Sequence, residues 1–207
     1  MSNIAAFREL SPTSLSDVLT RDRVMNIAIR PLWDGIPRIA GPAFTVRCPH
    51  GDNLMLHAAI YRAPPGSVIV VESADADYAV AGGNVCAVAQ KRGIAGFVID
   101  GVVRDLAEVR ERRFPVFARG VIPIPGAKEI ISDLNVQIVC GGVDVSSGDI
   151  VVADEEGIVV VPSARENDIL KAAQARAAKD ASTSLAQWEA DHHARVDEIL
   201  KRKGFRD

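Results

Sequence analysis
The chain has 207 residues, 48% of them hydrophobic and 25% charged, which suits one globular domain with an appended element and excludes a disordered protein. A net charge of −3 with both signs interspersed leaves no basic stripe for a nucleic-acid groove, and 5% aromatics provide no base-stacking platform. No stretch approaches the ~20 apolar residues needed to span a bilayer, and the opening MSNIAAFREL lacks the pattern of a leader, so a soluble protein without membrane contact is expected. Cys48, Cys86 and Cys140 are an odd number in separated apolar contexts, which reads as reduced thiols in the cytoplasm rather than a disulfide framework or zinc site.

Ser and Thr caps followed by Leu15, Val18 and Leu19 predict a short helix over 11–20, with Asp17 exposed. Residues 39–48 predict a strand, in which Phe44 and Val46 alternate with Thr45 and Arg47. Gly51, Asp52 and Asn53 supply a turn and cap for a helix carrying Leu54, Leu56, His57 and Ile60. His50 and His57 are seven apart without an i,i+4 relation, so neither is taken as a metal ligand. The continuous apolar run from Ser67 to Glu72 marks a strand covered on both faces, and Asp75 and Asp77 follow as a solvated loop.

Residues 81–105, AGGNVCAVAQKRGIAGFVIDGVVRD, concentrate the candidate chemistry. Val85, Val88 and Ala89 recur at helical spacing after the Gly82-Gly83 pair, so the turn should open onto a helix with free N–H groups at Gly83, Asn84 and Val85. Such an end attracts anions, carboxylate as readily as phosphate. The helix should stop near Gly93; residues 96–100 read as a buried strand, and Gly101 should turn the chain sharply before Arg104-Asp105. Arginine offers a rigid fork for a carboxylate or keto oxygen, and an aspartate can hold Mg²⁺ or Mn²⁺ with several waters.

Leu106 to Arg113 predicts a short charged helix in which Glu108 and Arg112 pair at i,i+4 on the wet face. Strands follow at 114–117, 136–140 and around 150–152 and 158–161, the last two joined by a hydrated acidic turn at 154–157. Composition shifts at Pro162 and Ser163, dividing a catalytic domain over 1–163 from a helical extension over 164–207. Helices are predicted at 165–179 and 185–201, the second opened by a Ser184–Gln187 capping box and lined on one face by Leu185, Trp188, His192, Val196 and Ile199. That face should pack on a neighbouring subunit. His192, His193, Glu189 and Asp191 could reach a neighbour's pocket in such an assembly.

The alternation of short strands and helices predicts an α/β layered domain. The stretch 82–105, together with 50–54, 65–71, 148–154 and 157–162, resembles the family of the regulator of ribonuclease activity A and the 4-hydroxy-4-methyl-2-oxoglutarate aldolases, over about residues 14 to 165. The resemblance implies a layered β/β/α sandwich of the swivelling-domain type that assembles as a homotrimer, often stacked into a homohexamer. It implies catalytic roles for Arg104 and Asp105, with Asp105 as metal ligand, and a substrate carboxylate held by Gly82, Gly83, Asn84 and Val85. The family's aldolases usually carry an acid twenty-one positions before the arginine, where this chain has Gly83.

The activity so implied is divalent-metal-dependent cleavage of a small 2-oxo acid through a pyruvate enolate, either retro-aldol or decarboxylation of oxaloacetate. Decarboxylation suits the glycine better, because it needs no base to remove a hydroxyl proton. The alternatives are a non-catalytic ring that binds a partner such as a ribonuclease, and a methyltransferase. The last lacks a glycine-rich nucleoside loop with an acidic ribose partner.

Overall fold
The computed structural model describes residues 3–205. Two short helices, α1 (Ile4–Arg8) and α2 (Pro12–Ser16), open the chain. α2 begins at the expected cap, Ser11 accepting the Ser14 N–H at 3.1 Å with Pro12 at the first helical position, an arrangement worth about 1 kcal/mol. It ends at Ser16, short of the expected span, and the exposed Asp17 pairs with Arg176 at 3.1 Å.

There follow β1 (Arg30–Pro31), β2 (Ile39–Arg47), α3 (Leu54–Ala59), β3 (Val68–Asp75), α4 (Gly83–Lys91), β4 (Gly96–Val103), α5 (Leu106–Glu111) and β5 (Val116–Val121). β6 (Ile138–Cys140), β7 (Val143–Val145), β8 (Ile150–Asp154) and β9 (Gly157–Val161) precede the helices α6 (Glu166–Ser182) and α7 (Leu185–Arg202). Seven strands form one sheet in the order β1-β5-β4-β3-β2-β8-β9, and β6 and β7 form a separate ribbon. β2 to β5 are mutually parallel, each joined to the next through a helix, because a parallel pair needs a crossover too long for a hairpin. β1, β8 and β9 add on antiparallel.

The layers follow from which faces are apolar. Leu56 and Ala59 of α3, Cys86 and Ala89 of α4 and Val109 of α5 cover one face of the sheet, against Ile69, Val71, Phe97 and Ile99. Ile138, Cys140, Val143 and Val145 of the ribbon, with Met25, Ile29 and Trp33, cover the other face, against Val68, Val70, Val98 and Phe117. With both faces covered, β4 is buried along its whole length, as its unbroken apolar run requires. The result is the layered β/β/α sandwich that was expected.

A third cluster packs α1, α2 and the first half of α6 onto β8 and β9, through Phe7, Leu15, Ile169, Leu170 and Ala173. The helical extension is therefore seated on the domain at one end only. α7 has no buried residue: Leu185 is 79% and Trp188 51% exposed, although the Ser184 cap accepts the Gln187 N–H as expected.

Several local expectations are corrected. Gly101 makes no turn; β4 runs on to Val103 and its pairing with β3 shifts between Glu72 and Asp75. A Cβ on Gly101 would stand 3.1 Å from Ser73 Cβ and 3.3 Å from the Asp75 carbonyl oxygen, so the glycine permits a close approach at an irregular ladder. Glu108 forms no pair with Arg112 among the described residues. Asp154 does not merely hydrate its turn: it is buried, accepts the Glu156 N–H at 2.9 Å and pairs with Arg38 at 2.8 Å. The three cysteines are free and buried, and burial pushes the thiols of Cys48 and Cys86 up to about 12.

Candidate functional site
The end of β4 is tied to the entrance of α4, the Arg104 N–H donating to the Ala81 carbonyl at 2.9 Å. The turn that the sequence reading placed at Gly101 is made by Asp105, which adopts a left-handed conformation with φ of 57°. Aspartate tolerates that region better than most residues. Asp105 caps α5 and directs its carboxylate back across the strand end, where Oδ2 accepts the Gly83 N–H at 3.0 Å.

Arg104 Nε lies 3.4 Å from the same oxygen. The two side chains are 40% and 36% exposed, so the pair contributes at most ~1 kcal/mol to folding. The terminal guanidinium nitrogens of Arg104 have no partner among the described residues. Gly82 makes room for the pair. Its φ of −154° is ordinary extended backbone, but a Cβ there would stand 2.5 Å from Asp105 Oδ2 and 3.1 Å from Arg104 Nε.

The expected row of three free amides is narrowed. Gly83 donates to Asp105, while the N–H groups of Asn84 and Val85 have no acceptor among the described residues. These two donors stand in the first turn of a nine-residue helix without a side-chain cap, and their residues line a cavity of about 220 Å³. Gly82, Asn84, Val85, Arg104 and Asp105 line one side of it. Its volume is below the roughly 300–1,000 Å³ of sites for drug-sized ligands, which suits a small acid.

Asn53, His57 and Lys128 line the other side, and none was singled out as a site residue from the sequence. Asn53 is buried; its Nδ2 donates to the carbonyls of Ala79 and Gly126 at 3.3 and 3.2 Å, and its Oδ1 has no partner. His57 is lowered to about 4, by burial first and then by the Lys128 and Arg104 cations, so it is neutral near pH 7. Lys128 arrives by a long-range bridge between Asp52 and Ala127. Asp52 fixes that loop by accepting the Glu129 and Ile130 N–H groups, and another from Leu54 at the start of α3. Burial opposes the Asp52 charge, but the three donors and Lys128 outweigh it and hold the carboxyl below its ordinary value.

His50 stands apart from this cavity. Its Nε2 lies 3.7 Å from Asp75 and 3.4 Å from Asp77, a grouping that could hold a cation. Asp75 is not the solvated acid expected: it is buried and accepts N–H groups from Gly51, Asp77 and Tyr78. Both of its oxygens are engaged in shaping the loop, whereas Asp105 Oδ1 accepts no bond among the described residues.

The cavity lies at the carboxyl end of the parallel strand β4, beside one carboxylate and an arginine, which is where open α/β sheets commonly take their ligands. The sequence profile described as RraA-like, Aldolase/RraA, matches residues 12–160, and the chain belongs to that family. It is 38% identical over 184 residues to a protein of Halalkalibacterium halodurans named "Putative 4-hydroxy-4-methyl-2-oxoglutarate aldolase", covering 88% of this chain and 87% of that one. The RNA-processing inhibitor RraA from Thermus thermophilis superposes with a TM-score of 0.66 at 30% identity, covering 72% of this chain and 91% of its own. An uncharacterized protein from Pseudomonas syringae pv. tomato superposes with a TM-score of 0.76 at 28% identity, covering 91% and 92%.

Proposed function
We propose that this protein is a divalent-metal-dependent lyase that cleaves small 2-oxo acids to pyruvate. The observation that carries the reading is the convergence of two unpaired helix-start amides, a guanidinium with free terminal nitrogens and a carboxylate with a free oxygen on one small cavity. The aldolase name of the Halalkalibacterium halodurans relative supports it.

The donor set fits a hard cation. Mg²⁺ binds through one or two carboxylates and keeps several waters, and Asp105 offers one oxygen free and partly exposed. Asp105 would hold Mg²⁺ or Mn²⁺, and the bound cation supplies a Lewis acid that polarises the 2-oxo group. The N–H groups of Asn84 and Val85 hold the adjacent carboxylate at the helix start. Arg104 donates to the keto oxygen, where negative charge grows as the carbon–carbon bond breaks and its electron pair moves into the enolate of pyruvate. The other fragment leaves as CO₂ from oxaloacetate or, once its 4-hydroxyl proton has passed to solvent, as a second oxo acid, and water then protonates the enolate to pyruvate. Lys128, across the cavity, pairs with a second carboxylate of a diacid substrate. Neutral His57 adds no charge to this wall.

The test is pyruvate release from oxaloacetate and from 4-hydroxy-2-oxo diacids, with and without Mg²⁺ or Mn²⁺. Asp105→Ala and Arg104→Ala should each lose at least about a hundredfold in kcat/KM, on the scale of losing one oxyanion-stabilising donor. Activity that survives EDTA and both substitutions would refute the reading. A second reading, a ring that binds and regulates a protein partner, is favoured by the likeness to the RNA-processing inhibitor RraA. Inhibition of a ribonuclease by the Asp105→Ala protein, with no lyase activity in the wild type, would select it.

The same proposal includes a cytoplasmic homotrimer or homohexamer with an intersubunit helical extension over 164–207. Supporting it are the uncovered apolar face of α7 and three buried free thiols. No helix among the described residues is long and apolar enough to cross a membrane.

A further inference from the structure
A second cluster of ligating side chains lies outside the cavity, where the loop after β2 meets the end of β3. His50 Nε2 stands 3.7 Å from Asp75 Oδ1 and 3.4 Å from Asp77 Oδ2, and one ligand atom from each of the three residues falls within 4.8 Å of the other two. Separate contacts hold them in place. The Gly51 N–H donates to Asp75 Oδ2 at 2.7 Å and ties the two segments together, the Asp77 N–H donates to Asp75 Oδ1 at 2.7 Å, and the His50 ring meets the Tyr78 ring edge-on at 5.8 Å. The sequence reading weighed His50 only against His57, its neighbour along the chain, whereas its partners arrive from the far end of β3.

Two carboxylates adjoin here, and no lysine or arginine pairs with either among the described residues. A histidine answers them only when it is protonated. Burial opposes the Asp75 charge, but three backbone N–H donors and His50 outweigh it and hold the carboxyl below its ordinary value, so it is ionised near pH 7. Those donors take three of the roughly four lone-pair sites of a carboxylate and leave one. Zinc bound at about 2.0–2.2 Å by nitrogen and oxygen in a tetrahedron sets its ligands about 3.4 Å apart, and the separations here are 3.4 and 3.7 Å. One imidazole with two carboxylates suits zinc, whereas magnesium is satisfied by oxygen ligands and water. We infer that His50, Asp75 and Asp77 form a zinc site distinct from the cavity. Water takes the fourth position, since the side chains of His50 and Asp77 are 67% and 76% exposed. The ion braces two segments that continue into the cavity wall at Asn53 and Ala79, and the site is independent of the lyase chemistry.

The test is zinc binding to the full chain by isothermal titration calorimetry, in excess Mg²⁺ and in a background of Asp105→Ala, His192→Gln and His193→Gln. These changes remove the carboxylate assigned to the cavity cation and the two exposed histidines of α7, and of the chain's four histidines only His50 and His57 remain. One zinc should bind per chain. His50→Gln and Asp77→Asn should each weaken it by more than about tenfold, the lower end of what loss of a mere outer-sphere partner costs. Both side chains are exposed, so neither change threatens the fold. Nitrogen-15 spectra should show the His50 ring moving on zinc addition while the His57 ring stays. The inference is overturned if the background binds no zinc, if either substitution leaves the affinity unchanged, or if the His57 ring moves in place of His50.

Discussion

Gly82→Ala separates the site from the fold. The backbone at Gly82 is extended, so alanine meets no conformational strain there. Its new Cβ would stand 2.5 Å from Asp105 Oδ2, where ordinary contact begins at 3.4 Å, so the carboxylate must retreat by about 0.9 Å. That breaks the 3.0 Å bond from the Gly83 N–H and moves Arg104, whose Cγ and Nε would be 3.0 and 3.1 Å from the same atom. The bond is partly solvated and the start of α4 has no side-chain cap to lose, so unfolding free energy should fall by only about 1 kcal/mol. A displacement near 1 Å of groups that grip the reacting atoms costs on the order of a hundredfold in rate. Thermal unfolding and kcat/KM for pyruvate release, measured on one preparation, give both numbers. Wild-type kinetics in Gly82→Ala would refute the claim that Arg104 and Asp105 act from their seat against Gly82.

Two further outcomes follow from burial and charge. The His57 pKa is about 4 in the folded chain against 6.5 for the free side chain, so between these values the unfolded state binds the extra proton. Stability should thus be full above about pH 6.5 and decline as pH falls toward about 4; urea midpoints should show a shallower decline in His57→Gln, and an identical slope would remove His57 as a cause. Truncation after Ser182 should leave the thermal midpoint of the domain within a few degrees, since α7 has no buried residue, yet should dissociate the proposed assembly in analytical ultracentrifugation; an unchanged oligomer defeats the intersubunit role.

What the sequence made legible is what local periodicity encodes. β3 and β4 announced themselves as doubly covered strands through unbroken apolar runs, and α4 through the spacing after the glycine pair. That Arg104 and Asp105 stand together at a strand end was legible because they are adjacent within one motif. The opposite wall was not. Lys128 reaches the cavity only because Asp52 gathers the 127–130 loop onto the start of α3, a contact between residues more than seventy positions apart. His57 was discounted for lacking a second histidine at helical spacing, but its setting is created by burial first and then by cations from two other segments. Asp75 looked like a loop acid because the ladder irregularity that buries it is absent from any alternation pattern.

The glycine pair shows how a correct local reading can rest on the wrong cause. Gly82-Gly83 predicts a turn, and a helix does start there, but neither residue has a positive φ, so the backbone has no need of glycine at either position. Glycine in the first turn instead costs the helix up to about 1 kcal/mol relative to alanine. What the two positions have in common is occupied space: a Cβ at 82 would strike Asp105 and Arg104, and one at 83 would strike Glu108. Each glycine thus makes room for a charged group arriving from the end of β4 or the first turn of α5. On the proposed reading the space at 82 serves the Arg104–Asp105 pair, and for that reason alanine there should disturb turnover before it disturbs folding.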